Sequence, residues 1–115
     1  MSGNFENKRR PKRVGNLVTV AKIDAIPSGR GANVRLKDGS EIALFNIAGT
    51  YFAVENFCPH RGSHLSDSRT YGNEVECDLH GWRFDLATGE CLTTPTCSIE
   101  TYKVEIEGEF VKVRV

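Results

Sequence analysis

The sequence has little of what a membrane protein or a disulfide-stabilised secreted protein needs. None of its apolar runs approaches the roughly 20 residues that span a bilayer, and no apolar segment follows the basic start. We therefore expect neither a membrane anchor nor a secretory signal, and we expect the protein in the cytoplasm. The chain holds only four cysteines and three histidines among 115 residues. That length suits one domain with a modest core.

The formal net charge is zero, but the charges are unevenly distributed along the chain. Residues 1–13 hold five basic residues and one acidic residue, which leaves 10 basic and 14 acidic residues in the remainder. A polar, basic, proline-containing start predicts a disordered tail over residues 1–13, which either docks an acidic partner or aids solubility. We expect no nucleic-acid partner, because no basic stripe continues beyond this tail.

Half of the cysteines and most of the histidines fall into two short motifs. The first motif is Cys58-x-His60, and the second is Cys77-x-x-His80. Sixteen residues, 61–76, separate the two motifs. Thiolate and imidazole ligands suit zinc, copper or an iron–sulfur cluster, and they do not suit magnesium or calcium. The sequence therefore predicts a metal or cluster site formed by these four side chains.

The spacing of the ligands favours a cluster over a zinc ion. Zinc fingers usually pair two cysteines in one half and two histidines in the other, whereas each half here is mixed. If two irons share two bridging sulfides, each iron still needs two protein ligands. Two mixed loops can place both thiolates on one iron and both imidazoles on the other, which is the Rieske [2Fe–2S] arrangement. A zinc-binding interaction module remains an alternative.

Two stretches of the chain resemble the cluster-binding loops of the Rieske family. They are Cys58-Pro59-His60-Arg61-Gly62 and Cys77-x-x-His80-Gly81-Trp82-x-Phe84-Asp85, and the resemblance covers most of residues 17–115. The chain looks most like the soluble ferredoxins of bacterial aromatic-ring dioxygenases. It is also similar to the Rieske-like small subunit of assimilatory nitrite reductase. The resemblance implies one [2Fe–2S] cluster, with Cys58 and Cys77 on the inner iron and His60 and His80 on the outer iron.

The hydrophobic pattern predicts an antiparallel all-β domain without a long helix. Short alternating or β-branched runs, separated by turn residues, predict strands at 17–20, 32–36, 41–47, 51–55, 102–106 and 111–115. The resemblance implies a sandwich or barrel-like Rieske domain over residues 14–115. It also implies an inserted cluster-binding subdomain at about 56–92. Within it we expect a short helical turn in 63–69 and strands leading into Cys77 and out of Trp82.

The resemblance further implies a set of residues that surround the cluster without binding iron. They are Arg61, Gly62, Ser63, Gly81, Trp82, Phe84 and Pro95. High-potential respiratory members have a disulfide at the positions of Ser63 and Leu79, and hydroxyl donors at those of Trp82 and Phe84. None of these groups is present here, so we expect the low-potential class, near the lower end of about −150 to +300 mV.

The resulting hypothesis is an electron-transfer protein rather than an enzyme in its own right. It would carry single electrons from a flavin-dependent reductase to a terminal oxygenase, and we expect no catalytic residue in it. The alternative is a small subunit bound to the large subunit of a nitrite reductase.

Several residues outside the motifs invite a functional interpretation that the sequence does not favour. We expect Cys91 and Cys97 to be two reduced thiols, because disulfides are rare in the cytoplasm. We expect His64 to be an exposed loop residue, Trp82 to pack beside the cluster, and Asp85 to stabilise a turn.

Overall fold

The computed structural model describes residues 15–57, 64–77, 81–94 and 97–115. The predicted tail at residues 1–13 lies outside these residues. Within the described part, the antiparallel all-β prediction is confirmed. The strands are β1 (Leu17–Lys22), β2 (Arg30–Arg35), β3 (Glu41–Ile47), β4 (Thr50–Glu55), β5 (Arg69–Tyr71), β6 (Glu74–Glu76), β7 (Arg83–Asp85), β8 (Thr101–Tyr102), β9 (Val104–Glu107) and β10 (Phe110–Arg114).

Three antiparallel sheets contain all of these strands. Their strand orders are β2-β3-β4-β8, β1-β10-β9 and β5-β6-β7. The predicted helical turn is also confirmed, as a single 3-10 turn at Leu65–Asp67. The strands predicted on either side of the second ligand motif are β6 and β7. Among the described residues, no helix has the length and apolar character needed to cross a bilayer.

The strand predicted over residues 102–106 is wrong in one respect, because the chain changes sheets at Lys103. Tyr102 in β8 pairs with Ala53 of β4, whereas Val104 in β9 pairs with Val113 of β10. Between them, the carbonyl oxygen of Lys103 accepts a hydrogen bond from the backbone N–H of Arg114 at 3.0 Å. The alternating pattern continues across this corner, so the sequence gives no signal that the pairing partner changes.

Strand β3 is buried on both of its faces and separates two hydrophobic cores. Ile42 and Leu44 contact the first core, which also contains Ala53, Tyr102, Val111 and Val113. This core fills the space between the four-stranded sheet and the terminal sheet β1-β10-β9. Because successive side chains of a strand point to opposite faces, Ala43 and Phe45 face the other way, into the second core.

The second core joins the opposite face of the four-stranded sheet to the small sheet β5-β6-β7. Its fully buried members include Phe45, Leu65, Val75, Cys77 and Phe84. Since Leu65, Val75 and Phe84 come from the segment that carries the predicted ligands, burial of their side chains fixes this segment to β3. Full burial of a large apolar side chain contributes roughly 1.5–3 kcal/mol, so the attachment is strong.

The outer face of the terminal sheet carries ion pairs across its strands. Arg114 Nε donates to Glu105 Oε2 at 2.7 Å, and Lys112 Nζ donates to Glu107 Oε1 at 2.8 Å. The hydrogen bond from Arg114, together with its positive charge, holds the pKa of Glu105 below its usual range. This face therefore faces water, and the candidate centre lies on the other side of β3.

Candidate metal centre

The second ligand motif begins directly after β6, and β7 follows it along the chain. After the pair Glu76↔Arg83, the backbone N–H of Cys77 donates to the carbonyl oxygen of Trp82 at 2.7 Å. The backbone N–H of Gly81 donates to the carbonyl oxygen of Cys77 at 2.9 Å. Together these bonds hold Cys77 next to Gly81 and Trp82. Gly81 has φ +70°, in the left-handed region that favours glycine.

Cys77 is the one predicted ligand that the described residues include, and it is fully buried. Its neighbours in the second core include Leu65, Val75 and Phe84, and Trp82 packs against the same core. The thiol of Cys77 therefore lies at the base of a tight hairpin, inside an apolar environment. A soft sulfur donor held in this way suits a thiophilic metal or an iron–sulfur cluster, and it does not suit a hydrated magnesium or calcium ion.

The first ligand loop is closed by the side chain of Asn56, which follows directly after β4. Asn56 is buried, and its Nδ2 donates to Asn33 Oδ1 at 2.8 Å and to Ser66 Oγ at 2.9 Å. The backbone N–H of Ser66 donates in return to Asn56 Oδ1 at 2.9 Å. These bonds join the chain before the loop to the chain after it. The sequence pattern does not single out Asn56; its only signal is a polar residue that ends an apolar strand next to the motif.

The 3-10 turn that follows this loop rests directly on β2. A Cβ atom at Gly31 would lie 2.6 Å from the Phe45 ring and 3.0 Å from the carbonyl oxygen of Ser66. Only glycine therefore leaves room for the turn to approach this closely. Leu65, the first residue of this turn, is fully buried in the second core and anchors the turn there.

A third segment begins beside β7, at residues 92–94. The backbone N–H of Leu92 donates to the carbonyl oxygen of Arg83 at 2.7 Å. The backbone N–H of Arg83 donates to Thr93 Oγ1 at 3.0 Å. The chain that leads to Pro95 is thus docked on Arg83, the residue after Trp82.

His64 and Asp85 have the structural roles that the sequence favours. The His64 side chain is 54% exposed, and its Nε2 lies 3.2 Å from Glu41 Oε1. Asp85 Oδ1 accepts hydrogen bonds from the backbone N–H groups of Ala87 at 2.8 Å and Thr88 at 3.1 Å. This pattern is a side-chain-stabilised turn, so both predictions are confirmed.

The structure brings together Cys77, Gly81, Trp82 and Phe84 on the β6–β7 hairpin. The remaining predicted site residues lie outside the described residues: Cys58, His60, Arg61, Gly62, Ser63, His80 and Pro95. Within 15–57, 64–77, 81–94 and 97–115, no group of three His, Cys, Asp or Glu side chains could hold a metal. This is expected, because three of the four predicted ligands are outside these ranges.

Comparison with known proteins gives a family match over most of the chain. The model of the Rieske [2Fe-2S] domain matches residues 16–103. The ferredoxin component of the naphthalene 1,2-dioxygenase/salicylate 5-hydroxylase systems of Ralstonia sp is 41% identical over 101 residues, which cover 87% of this chain and 96% of that protein. The family match supports a [2Fe–2S] cluster rather than a zinc-binding module.

Two solved structures share the fold and 30% of the sequence. The Sphingomonas yanoikuyae B1 ferredoxin has a TM-score of 0.80, with 87% of this chain and 99% of that chain covered. A chain from Mycobacterium tuberculosis assigned as the small subunit of an NADH-dependent nitrite reductase has a TM-score of 0.82, with 89% and 97% covered. The two structures have the same sequence identity to this chain and nearly the same TM-score. The fold alone therefore does not distinguish a ferredoxin from a reductase subunit.

Replacing Asn56 should loosen the first ligand loop. Asn56→Ala removes three hydrogen bonds and leaves the buried backbone N–H of Ser66 without its acceptor. We expect the free energy of unfolding to fall by about 2–4 kcal/mol, as measured by urea denaturation. Asn33→Ala is the matched control: it loses one of these bonds and keeps the pairing of Asn56 with Ser66, so its cost should be about 1 kcal/mol or less. Equal costs for the two variants would contradict the role assigned to Asn56.

Proposed function

Because the chain belongs to the Rieske [2Fe–2S] family, we propose that it is a ferredoxin of an oxygenase system. It would carry single electrons from a flavin-dependent reductase to a terminal oxygenase. The observation that carries this proposal is the 41% identity to a dioxygenase ferredoxin component along 96% of that protein's length. When bound, the cluster would accept one electron and later donate it. We place this function in the cytoplasm.

The ligands that we assign to the cluster are Cys58, His60, Cys77 and His80. The burial of Cys77 supports this assignment, because it places one thiol in an apolar environment at the base of a ligand loop. The hydrogen bonds between residues on either side of each motif support it as well, since they hold Asn56 to Ser66 and Cys77 to Trp82. Two thiolates balance the charge of an oxidised [2Fe–2S] core, and two imidazoles complete the ligand set.

The chain provides its own controls for the ligand assignment. We expect Cys58→Ala, His60→Ala, Cys77→Ala and His80→Ala each to lower the Rieske-type EPR signal of the reduced protein at least tenfold, because each variant removes one iron ligand. Cys97→Ser and His64→Ala should keep the signal, since they change the same residue types outside the motifs. Full signal in any one of the four ligand variants would contradict the assignment.

We further propose that the protein belongs to the low-potential class. Phe84 is fully buried among apolar side chains, and Trp82 packs against the same core. Neither side chain carries a hydroxyl that could stabilise the reduced form by donating to a cluster sulfur. The protein environment at these two positions therefore does little to favour electron uptake.

Redox titration of the purified protein, followed by EPR, tests the potential. We expect a midpoint in the lower part of the range of about −150 to +300 mV that Rieske centres cover. A midpoint in the upper part of that range would require hydrogen-bond donors that Trp82 and Phe84 cannot provide, and it would overturn the assignment to the low-potential class.

Two exposed apolar side chains adjoin the loops that carry the motifs. Phe57, which directly precedes Cys58, is 52% exposed, and Leu92, which begins the third segment, is 49% exposed. Single exposed apolar side chains are common, and contiguous patches of them mark protein-partner surfaces; the position of Phe57 and Leu92 next to the motifs is what points to a partner. Electron-transfer partners bind through small, transient interfaces, which fits a carrier that visits a reductase and an oxygenase in turn. We propose Phe57 and Leu92 as part of that contact surface.

The nitrite reductase alternative rests on one observation, the TM-score of 0.82 with the Mycobacterium tuberculosis chain. A small subunit of this kind would stay bound to a large subunit during purification. The ferredoxin would instead elute as a free protein. A stoichiometric complex with a large flavin- or haem-containing chain would therefore favour the alternative and contradict the ferredoxin.

Electron transfer to an aromatic-ring dioxygenase tests both the function and the contact surface. With a flavin reductase and NADH, we expect the protein to support substrate oxidation by the oxygenase. Phe57→Ser and Leu92→Ser should each slow the transfer at limiting concentration roughly fivefold, because loss of an interface side chain commonly costs about 1 kcal/mol. Ile106→Ser is the control, since Ile106 is 50% exposed on the terminal sheet beyond β3. An equal effect of all three variants would contradict the proposed surface.

A further inference from the structure

The two cysteines that the cluster does not use flank residues 92–96. The structure pairs Glu90 with Ser98 in an antiparallel bridge. Gly89 precedes Glu90 and Ile99 follows Ser98, and the backbone N–H of Ile99 donates to the carbonyl oxygen of Gly89 at 2.8 Å. In an antiparallel pair, the residue after Glu90 faces the residue before Ser98. This register therefore places Cys91 opposite Cys97.

The two chain segments approach each other closely at this point. A Cβ atom at Gly89 would lie 2.1 Å from the carbonyl oxygen of Ile99, so only glycine fits there. Gly89 and Ile99 share a backbone hydrogen bond, so if the same register continues, Cys91 and Cys97 would form a hydrogen-bonded pair with Cα atoms about 5.5 Å apart and side chains on the same face. That separation lies within the roughly 4.4–6.8 Å that disulfides span.

Packing of the two thiols agrees with this register. Cys91 is a buried member of the second core, and Cys97 packs against the same core from a partly exposed position. Cys91 also pairs with Phe84 of β7, so the core holds it in place. One thiol is thus fixed and shielded, and its neighbour can be reached from solvent.

We propose that Cys91 and Cys97, which are not joined by a disulfide in this structure, form a reversible dithiol–disulfide site. This site goes beyond the proposed electron transfer through the cluster and does not depend on it. Disulfides that do form in the cytoplasm are mostly transient and redox-sensing. A cross-strand cysteine pair with one accessible member has the arrangement that such chemistry needs.

The oxidation step exchanges a small-molecule disulfide for the protein disulfide. The Cys97 thiolate attacks one sulfur of the small disulfide, and one small thiolate leaves. The Cys91 thiolate then attacks Sγ of Cys97, the mixed disulfide breaks, and the second small thiolate leaves. The two protein thiols give up two electrons and two protons in total, and the small disulfide takes them up as two thiols. A dithiol reductant reverses the exchange.

Closing this bond would restrain the segment next to the ligand hairpin. The backbone N–H of Thr94 lies 3.5 Å from Cys91 Sγ, to which it donates. Leu92 and Thr93 hydrogen-bond to the backbone of Arg83, the residue after Trp82. A disulfide would tie residues 91–97 into a small ring anchored on β7. Oxidation of this pair would therefore restrain the residues that hydrogen-bond to Arg83 at the start of β7.

Tryptic digestion assigns the bond without ambiguity. No Lys or Arg lies between Arg83 and Lys103, so Cys91 and Cys97 fall in one peptide, 84–103. Cys58 falls in peptide 38–61 and Cys77 in peptide 70–83. A bond within the pair therefore lowers the mass of peptide 84–103 by two hydrogens and blocks its alkylation, whereas any bond to Cys58 or Cys77 joins two peptides.

The experiment treats the cluster-loaded full-length protein with oxidised glutathione under anaerobic conditions, followed by denaturation, alkylation and mass spectrometry. We expect peptide 84–103 to carry the internal disulfide and peptides 38–61 and 70–83 to be alkylated. The visible spectrum of the protein before denaturation should be unchanged, and dithiothreitol should restore both thiols. Hydrogen exchange at Leu92 and Thr94 should slow in the oxidised protein and remain fast in oxidised Cys97→Ser.

Two controls separate the pair from a single reactive thiol. Cys91→Ser should stop at a mixed disulfide of glutathione with Cys97, and Cys97→Ser should react much more slowly, because Cys91 is buried. Alkylation of both cysteines after oxidation of the wild type would overturn the proposal, as would a stable mixed disulfide on Cys97 alone. Since no partner and no electron transfer enters this assay, its failure would leave the ferredoxin function untouched, and failure of that function would leave this result intact.

Discussion

The structure depends on a strand, β3, that is buried on both of its faces. Ile42 and Leu44 belong to one core, and Ala43 and Phe45 belong to the other. Most strands of a two-layer protein bury one face and hydrate the other. Here the second face is covered by the segment that carries the ligand motifs, so the attachment of the candidate centre uses the same apolar burial that holds the fold together.

This arrangement ties together the described residues on either side of each ligand motif. Asn56 and Ser66 tie together the two ends of the first ligand loop, and the bond between Cys77 and Trp82 closes the second. Fully satisfied buried polar contacts of this kind restrict a loop without adding secondary structure.

Two kinds of redox chemistry would share the second core. Cys77 enters it from the β6–β7 hairpin, and Cys91 enters it from the segment paired with β7 through Phe84. Both thiols are buried. Extending the Glu90–Ser98 bridge by one residue brings the partly exposed Cys97 to Cys91, whereas Cys77 directly follows β6 at the start of the second ligand motif. The different roles that we propose for these two cysteines therefore rest on their surroundings rather than on residue type.

The sequence by itself determined the features that are local in the chain. Period-two alternation and turn residues predict most of the strands, and the Cys-x-His and Cys-x-x-His spacings predict the ligand set. Tertiary structure alone decided the change of sheet at Lys103, the clamp by Asn56, and the pairing of Glu90 with Ser98 beside the two remaining cysteines. Each of these depends on which distant segment lies alongside. A short-range pattern carries no information about that neighbour, because pairing is selected by burial across the whole core.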